Sequence, residues 1–515
     1  MSSASSASGK ICIWTIIPTL ICAIVSIVPL ILYEKQSADF LNAFFNWYKE
    51  AFGSFYLVLA LVSIGICGRL TYARFGNIRL GEPDEKPQFS TPSWIAMLFC
   101  TGVAGGVLYW SIADPIFFTA YPPFYAEPYS RDAYLWASTY TFFHWGPVPW
   151  SFYIICSIPI GYYFYVKKIR FMRISVTCVD MFPKSIQKTS SGVIDVFFAV
   201  GLLISNISIA GFTIPMVSEA FSNFSGISHT YTLEMGMLFF TAAIYCTSSY
   251  LGLEKGIARL STFNIYVAII LVAFVFVVGP TSFLIDNFIN GVGNMFQNII
   301  RMSTWTDPHT DGTFPQDWTM FYWAYWLPYA PLTGLFVASI SRGRTIKQII
   351  VQGISCGILG AWCIHAVFGG YSLHVQLHGV ADIATIFQQH GIFPAITAVL
   401  STLPLKDVIL VGFCVFSIIF FATSLDSSAF AIALACTENT GSDARPASWH
   451  SLAWAIIMAI IPAGLLKVGG MEALKAVVNI SAIPITIIAI MMVIGLYKAL
   501  YADEASGLLD KYLKK

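Results

Sequence analysis

Charged side chains are scarce in this 515-residue chain: Asp, Glu, Lys and Arg make up 11% of it, against about 25% in ordinary soluble domains. A water-soluble fold of this length would have a large surface and too few charges to cover it. With 57% hydrophobic residues, lipid is the solvent that suits the composition. No charge of one sign dominates either, since 28 basic residues meet 27 acidic ones for a net charge of +1. Nothing here would hold nucleic acid, and none is expected as a partner. Paired cysteines are also missing. The eleven cysteines form no Cys-x-x-Cys motif, and most stand alone in apolar runs, as Cys22, Cys67, Cys156 and Cys414 do. They read as small packing residues, not as a disulfide frame. The eight histidines are scattered and no His-Glu-x-x-His occurs, so a metal centre is not expected. No nucleophile–base set is visible within the apolar segments, which argues against an enzyme, and no sizeable soluble domain is present to act as a sensor.

What the chain has instead is long apolar runs. A membrane-spanning helix needs about 20 such residues, because hydrocarbon offers the backbone no hydrogen-bond partner. Twelve runs fit, centred near residues 22, 63, 105, 152, 206, 243, 270, 330, 358, 420, 458 and 486. The first, Ile11 to Leu32, is too long for a signal-peptide core and lacks a small-residue cleavage site, so a retained helix is expected. Residues 1–10 read as a disordered tail. Basic residues cluster after alternate spans: Arg69, Arg74, Arg79 and Lys86; Lys167, Lys168, Arg170, Arg173, Lys184 and Lys188; Lys255 and Arg259; Arg342, Arg344 and Lys347. This bias predicts both termini on the cytoplasmic side. Two stretches, Asp286 to Met302 and Asp382 to Leu403, look amphipathic and suit the outer membrane surface.

Span three contains Thr101-Gly102-Val103-Ala104-Gly105-Gly106, followed by Asp114-Pro115, and span eight contains Pro328, Pro331 and Gly334 within an aromatic run. Five spans begin at each. Paired interruptions at matching positions of two halves mark the substrate site of inverted-repeat transporters, because a broken helix frees carbonyls and amides for an ion and a ligand. Span eight also carries Trp318, Phe321, Tyr322, Trp323, Tyr325, Trp326 and Tyr329, and span four carries Phe142, Phe143, His144, Trp145, Trp150 and Tyr153. Tyr325 and Tyr329, four apart, share a face of a regular helix. Trp94, Trp136 and Trp318 fall near span ends and read as aromatics that line the membrane interface or fill the core. Rings beside a helix break suit a quaternary ammonium, which donates no hydrogen bond and is held by aromatic faces at ~0.5–2 kcal/mol each. No Lys or Arg lies in the middle of spans three, four or eight, so a substrate carboxylate would meet backbone amides, hydroxyls or water. Asp114 and Asp426, acidic residues in apolar segments, are either functional or hydrogen-bonded structural carboxyls.

These residues resemble the betaine/choline/carnitine transporter (BCCT) family. The run Phe321-Tyr322-Trp323-Ala324-Tyr325-Trp326 with Ile340-Ser341-Arg342-Gly343-Arg344-Thr345 is similar to the family signature. Phe143-His144-Trp145-Gly146 with Pro149-Trp150, and Phe89-Ser90-Thr91 with Ser93-Trp94, match further motifs in order and spacing. The resemblance implies an all-α polytopic fold, a LeuT-like five-plus-five inverted repeat behind two extra helices, usually as a homotrimer in a bacterial inner membrane. Its expected divisions are 11–90 for the extra helices and loop, 91–286 and 318–500 for the repeats, 287–317 for the surface segment between them, and 501–515 for a short tail. It implies a substrate cage of Trp145, Trp150, Tyr153, Tyr325, Trp326 and Tyr329, the family often having tryptophan where Tyr325 and Tyr329 stand. It implies sodium at Cys100, Val103, Phe420, Thr423 and Ser424, through carbonyls and hydroxyls. Gly102, Gly105, Gly106, Asp114, Asn264 and Asp426 become candidates for gating or coupling. Sodium-independent exchangers of the family place arginine at Asn264 and methionine at Thr333, and neither is here, which favours sodium-coupled uptake of a small methylated amine over precursor/product exchange. The chain departs from the family at Leu202 and Asn206, where threonines for a second sodium are usual, at Ser339, where arginine is usual, and in the Gly102–Gly106 run. The absence of a long basic tail argues against osmotic sensing.

Overall fold

In hydrocarbon a backbone must satisfy its own N–H and C=O groups, and a helix does this within one segment. The computed structural model describes residues 10–103, 105–169, 173–251, 257–310, 312–438 and 446–513. Most of the expected disordered tail, residues 1–9, lies outside the described residues. In chain order the helices are α1 (Ile13–Leu32), α2 (Glu34–Tyr72), α3 (Thr91–Gly102), α4 (Gly105–Ala120), α5 (Arg131–His144), α6 (Pro147–Gly161), α7 (Gln187–Ser225), α8 (Tyr231–Leu251), α9 (Ile257–Val278) and α10 (Thr281–Thr304). There follow α11 (Phe321–Trp326), α12 (Ala330–Ser339), α13 (Ile346–Ile364), α14 (Gly370–Leu377), α15 (Ile383–His390), α16 (Ile392–Ser401), α17 (Lys406–Ala435), α18 (Ser448–Val468), α19 (Met471–Ala505) and α20 (Asp510–Leu513).

The outer shell of this bundle is apolar. On α9, Ile270 and Val277 are 66% and 74% exposed while Leu271 and Val275 on the other face are buried. Such a surface is sustained by lipid, not by water. Among the described residues eight helices are long and apolar enough to cross a membrane, and α3 with α4 adds a ninth as one span bent by 52°. Three of the twelve expected spans fall outside that set. The α5–α6 region and residues 315–339 are divided into short pieces, and α8 is diluted by Glu234 and by hydroxyl side chains.

The break in span three lies where the glycines place it. α3 stops at Gly102, and Val103 has φ −90° and ψ 70°, outside the helical range. Span eight differs from the expectation. Residues 315–339 stay helical throughout, widening to a π turn at Pro315–Met320 and tightening to a 3-10 turn at Leu327–Tyr329. Pro328 and Pro331, three residues apart, remove two backbone donors, and the helix answers by changing pitch within packed surroundings instead of opening. The second discontinuity is in span four. α5 ends at His144, Trp145 and Gly146 leave the helical region, and Pro147 starts α6 from its first turn, a position that suits proline. Gly146 is required there, since a Cβ would meet the Phe142 carbonyl at 2.6 Å. The two amphipathic stretches are helical, the first as α10 and the second as α15 and α16 around Gly391 at φ 88°.

α7 is the central post, packed against α17 and α19. At its end the loop to α8 is tied by His229, whose Nδ1 lies 2.7 Å from Glu219 and Nε2 3.0 Å from Glu234. Hydrogen bonds to these two carboxylates push the imidazole up from 6.5 to about 9. A raised folded-state value means that the clamp contributes fully below pH 6.5 and is lost as pH rises through about 9. The melting temperature of the purified protein should therefore exceed that of His229→Gln at pH 6, by an advantage on the order of 1 kcal/mol after solvent screening, and the two should converge by about pH 10. A gap that stays constant across this range would contradict the clamp.

Candidate functional site

Rings from spans four and eight meet beside the break in span three. Trp326 of α11 lies 5.2 Å from Trp145, 5.6 Å from Trp150 and 4.7 Å from Tyr153, measured between ring centroids. Trp150 and Tyr153 stand 5.5 Å apart. Trp145, Trp150 and Trp326 are each at most 3% exposed. The indole N–H groups of Trp150 and Trp326 are buried with no acceptor among the described residues. The structure thus brings four of the six proposed cage residues into one cluster. Tyr325 faces away from it, toward Trp110 of α4 at 5.9 Å and Phe321 at 5.8 Å. Its hydroxyl lies where a Cβ of Gly106 would be, so α4 approaches this ring only because residue 106 has no side chain. Tyr329, the last residue of the 3-10 turn, makes no ring-to-ring contact among the described residues.

The cluster is tied to the broken span by Asp114. This fully buried carboxylate accepts hydrogen bonds from Trp145 Nε1 at 3.0 Å and from the Tyr322 hydroxyl. The Tyr322 ring in turn stacks on His144 at 4.4 Å, and His144 Nε2 pairs with Thr319 Oγ1 at 3.1 Å. Sequence reasoning left Tyr322 and His144 unassigned. Their signal was present in the aromatic runs, but nothing in the spacing pairs them with Asp114.

At the far end of span three a second assembly closes. The Trp94 Nε1 donates to Ser341 Oγ at 3.1 Å, and the Arg344 guanidinium lies 4.5 Å over the Trp94 ring. Arg344 also donates to Thr91 Oγ1 at 3.1 Å and to the Phe89 carbonyl at 3.0 Å. Main-chain bonds from Leu80 to Arg344, from Gly343 to Leu80 and from Ile346 to Ile78 pin residues 343–346 to the loop after span two. Trp94 is therefore a core aromatic, the second of the two roles open to it, and not an interfacial one. It is 1% exposed, beneath a guanidinium. Trp318 is likewise buried, covered by Lys475 at 3.6 Å.

The chain matches the BCCT family, described as betaine/carnitine/choline family transporter, over residues 14–505. The chain belongs to the BCCT family. It is 31% identical over 462 residues to a protein of Escherichia coli (strain K12) named "Uncharacterized transporter YeaV", covering 88% of this chain and 95% of that one. It is 29% identical over 496 residues to a "Carnitine transporter" of Acinetobacter baumannii, covering 95% of this chain and 89% of that one. This BCCT protein is a membrane transporter of betaine/carnitine/choline-type solutes and not an enzyme.

The positions that sodium would take in a BCCT transporter fall on two elements. The Cys100 carbonyl accepts the Val103 N–H at 3.1 Å at the break. On α17 the Thr423 and Ser424 hydroxyls both donate to the Phe420 carbonyl, at 2.9 and 3.0 Å, and α17 packs against α4. The donor chemistry, carbonyls and hydroxyls with lone pairs to spare, suits a hard cation. Asn206 is already engaged, donating to the Leu202 carbonyl at 2.6 Å and accepting from Ser428 at 3.3 Å. Among the candidate gating and coupling residues, Gly102 packs against Gly357 of α13 and Gly105 opens α4. Asp426 accepts from the Ser249 hydroxyl on α8, and Asn264 is buried on α9 with its side-chain oxygen unpartnered among the described residues.

The Gly106–Tyr325 contact gives a direct test of how the site is assembled. Gly106→Ala should destabilise the protein by about 1–3 kcal/mol, the usual cost of overpacking. Tyr325→Phe, which removes the obstructing oxygen, should recover part of that loss in the double variant, read as melting temperature in detergent. Additive effects of the two changes would mean that they do not touch.

Proposed function

We propose that this BCCT transporter takes up a small methylated amine by sodium-coupled alternating access. Twelve spans, arranged as a LeuT-like inverted repeat behind two extra helices, would cross a bacterial inner membrane with both termini cytoplasmic, and the protein would work as a homotrimer. The observation that carries the reading is the cluster of Trp145, Trp150, Tyr153 and Trp326 beside the interrupted third span. Each ring contributes ~0.5–2 kcal/mol to a desolvated quaternary cation, so three or four together account for a micromolar-to-millimolar affinity. The cation needs no hydrogen-bond acceptor, which suits a wall made of indole and phenol faces.

Sodium enters the reading through Cys100, Val103, Phe420, Thr423 and Ser424. A single ion at that position would hold the unwound part of span three against α17. The engagement of Asn206 on both its polar ends supports one ion and not two. Since Asp114 links Trp145 to the second half of the broken span, a change at the break reaches the cage through one hydrogen bond.

Uptake of a radiolabelled trimethylammonium compound into proteoliposomes should rise severalfold under an inward sodium gradient. Equal uptake without the gradient would remove the coupling, and counterflow that persists without any ion would point to exchange. Trp326→Ala should weaken binding at least about tenfold. Unchanged affinity in that variant would remove the cage.

A further inference from the structure

Lys475, in the second turn of α19, is 5% exposed and lines a cavity of about 820 Å³ together with Phe45, Phe117, Asp317 and Trp318. Its Nζ lies 3.6 Å from the Trp318 ring centroid and 5.0 Å from that of Phe321, and it donates to the Asp317 carbonyl at 2.8 Å. Among the described residues no carboxylate stands within ion-pair distance of it. The Asp317 carboxylate is taken by Lys49 at 2.8 Å, and that of Asp307 by the hydroxyls of Tyr125 and Thr310. Glu472, one turn earlier, is exposed at the rim.

A buried ammonium with no carboxylate in direct contact is costly inside a membrane protein. Three π faces, those of Phe45, Trp318 and Phe321, and one carbonyl offset part of that cost, and an ammonium with a single acceptor keeps donor capacity at the cavity wall. We propose that Lys475 binds the carboxylate of a zwitterionic methylated amine in this cavity, so that the transported solutes are of the betaine or carnitine type and not choline or trimethylamine. The inference rests on the proposed function. A zwitterion entering this cavity presents its carboxylate to Lys475 and its methylated head to the cavity's own ring walls, among them Phe117 and Phe387, on the way to the cage. Choline brings only a second positive charge to a place that already holds one.

The test compares binding of glycine betaine, carnitine and choline to the purified full-length protein, by calorimetry, for wild type, Lys475→Met and Lys475→Arg, in chloride and in gluconate. Wild type should favour the zwitterions over choline at least tenfold. Lys475→Met should lower that ratio at least tenfold, and Lys475→Arg, which keeps the charge, should retain most of it. If Lys475→Met does not fold, Lys475→Gln reads the same ratio. An unchanged ratio in the neutral variant overturns the proposal, as does a chloride requirement that disappears with Lys475 while the ratio stays, which would make the site one for chloride. Failure of every trimethylammonium compound to bind wild type would overturn the proposed function itself, and this inference with it.

Discussion

The arrangement of the centre depends on one buried carboxylate. Asp114 sits at the heart of a bundle whose surroundings are lipid, where an unpartnered ionisable group is among the most expensive things a fold can contain. Its two donors come from different places: Trp145 from the hinge of span four, and Tyr322 from the aromatic run of span eight. Satisfying Asp114 therefore fixes the second half of the broken third span, the hinge of the fourth and the face of the eighth relative to one another. The ring cluster follows, because Trp145 cannot meet Asp114 without laying its own ring beside Trp326.

The two ends of span three are held differently. At its start, Trp94, Ser341 and Arg344 are joined by hydrogen bonds and a cation–π contact, and the backbone of the signature run is laced to the loop after span two. At its finish, Phe117 borders the 820 Å³ cavity. A molecule pinned at one end and hollow at the other has a direction. On the proposed orientation, with the basic residues of the pinned end toward the cytoplasm, the hollow end would face outward.

Much of this was legible in the sequence, for reasons that can be named. Helix positions follow from the length of apolar runs, a constraint that lipid makes severe. The break at Gly102 follows from a cluster of residues that propagate a helix poorly. The eighth span misled, since prolines 328 and 331 in a fully packed segment shift pitch and need not break the chain. The same shift explains the fate of Tyr325 and Tyr329. Spaced four apart they would share a face of a regular α-helix, but the 3-10 turn Leu327–Tyr329 advances about 120° per residue and changes the angle between them. Trp326, next in the chain to Tyr325, points about 100° away and so reaches span four while Tyr325 reaches α4. Lys475 was invisible for a different reason. At the start of a long apolar helix it looks like a side chain reaching for water, and only the fold shows a tryptophan beneath it.

On the proposed function, the two aromatic sites would sort cations by what else each offers. At Trp318 the ring faces are accompanied by a carbonyl, that of Asp317, and the occupant is a primary ammonium that needs an acceptor. In the deeper cluster, Trp150 and Trp326 present indole donors without acceptors. A primary ammonium brought there would exchange its water for faces alone and leave its N–H groups unmet, at a cost that ring contacts do not cover. A quaternary head loses no hydrogen bond on the same transfer. On that proposal, the distinction between a lysine and a methylated amine, which a cation–π contact by itself hardly makes, would be made by whether a carbonyl oxygen accompanies the rings.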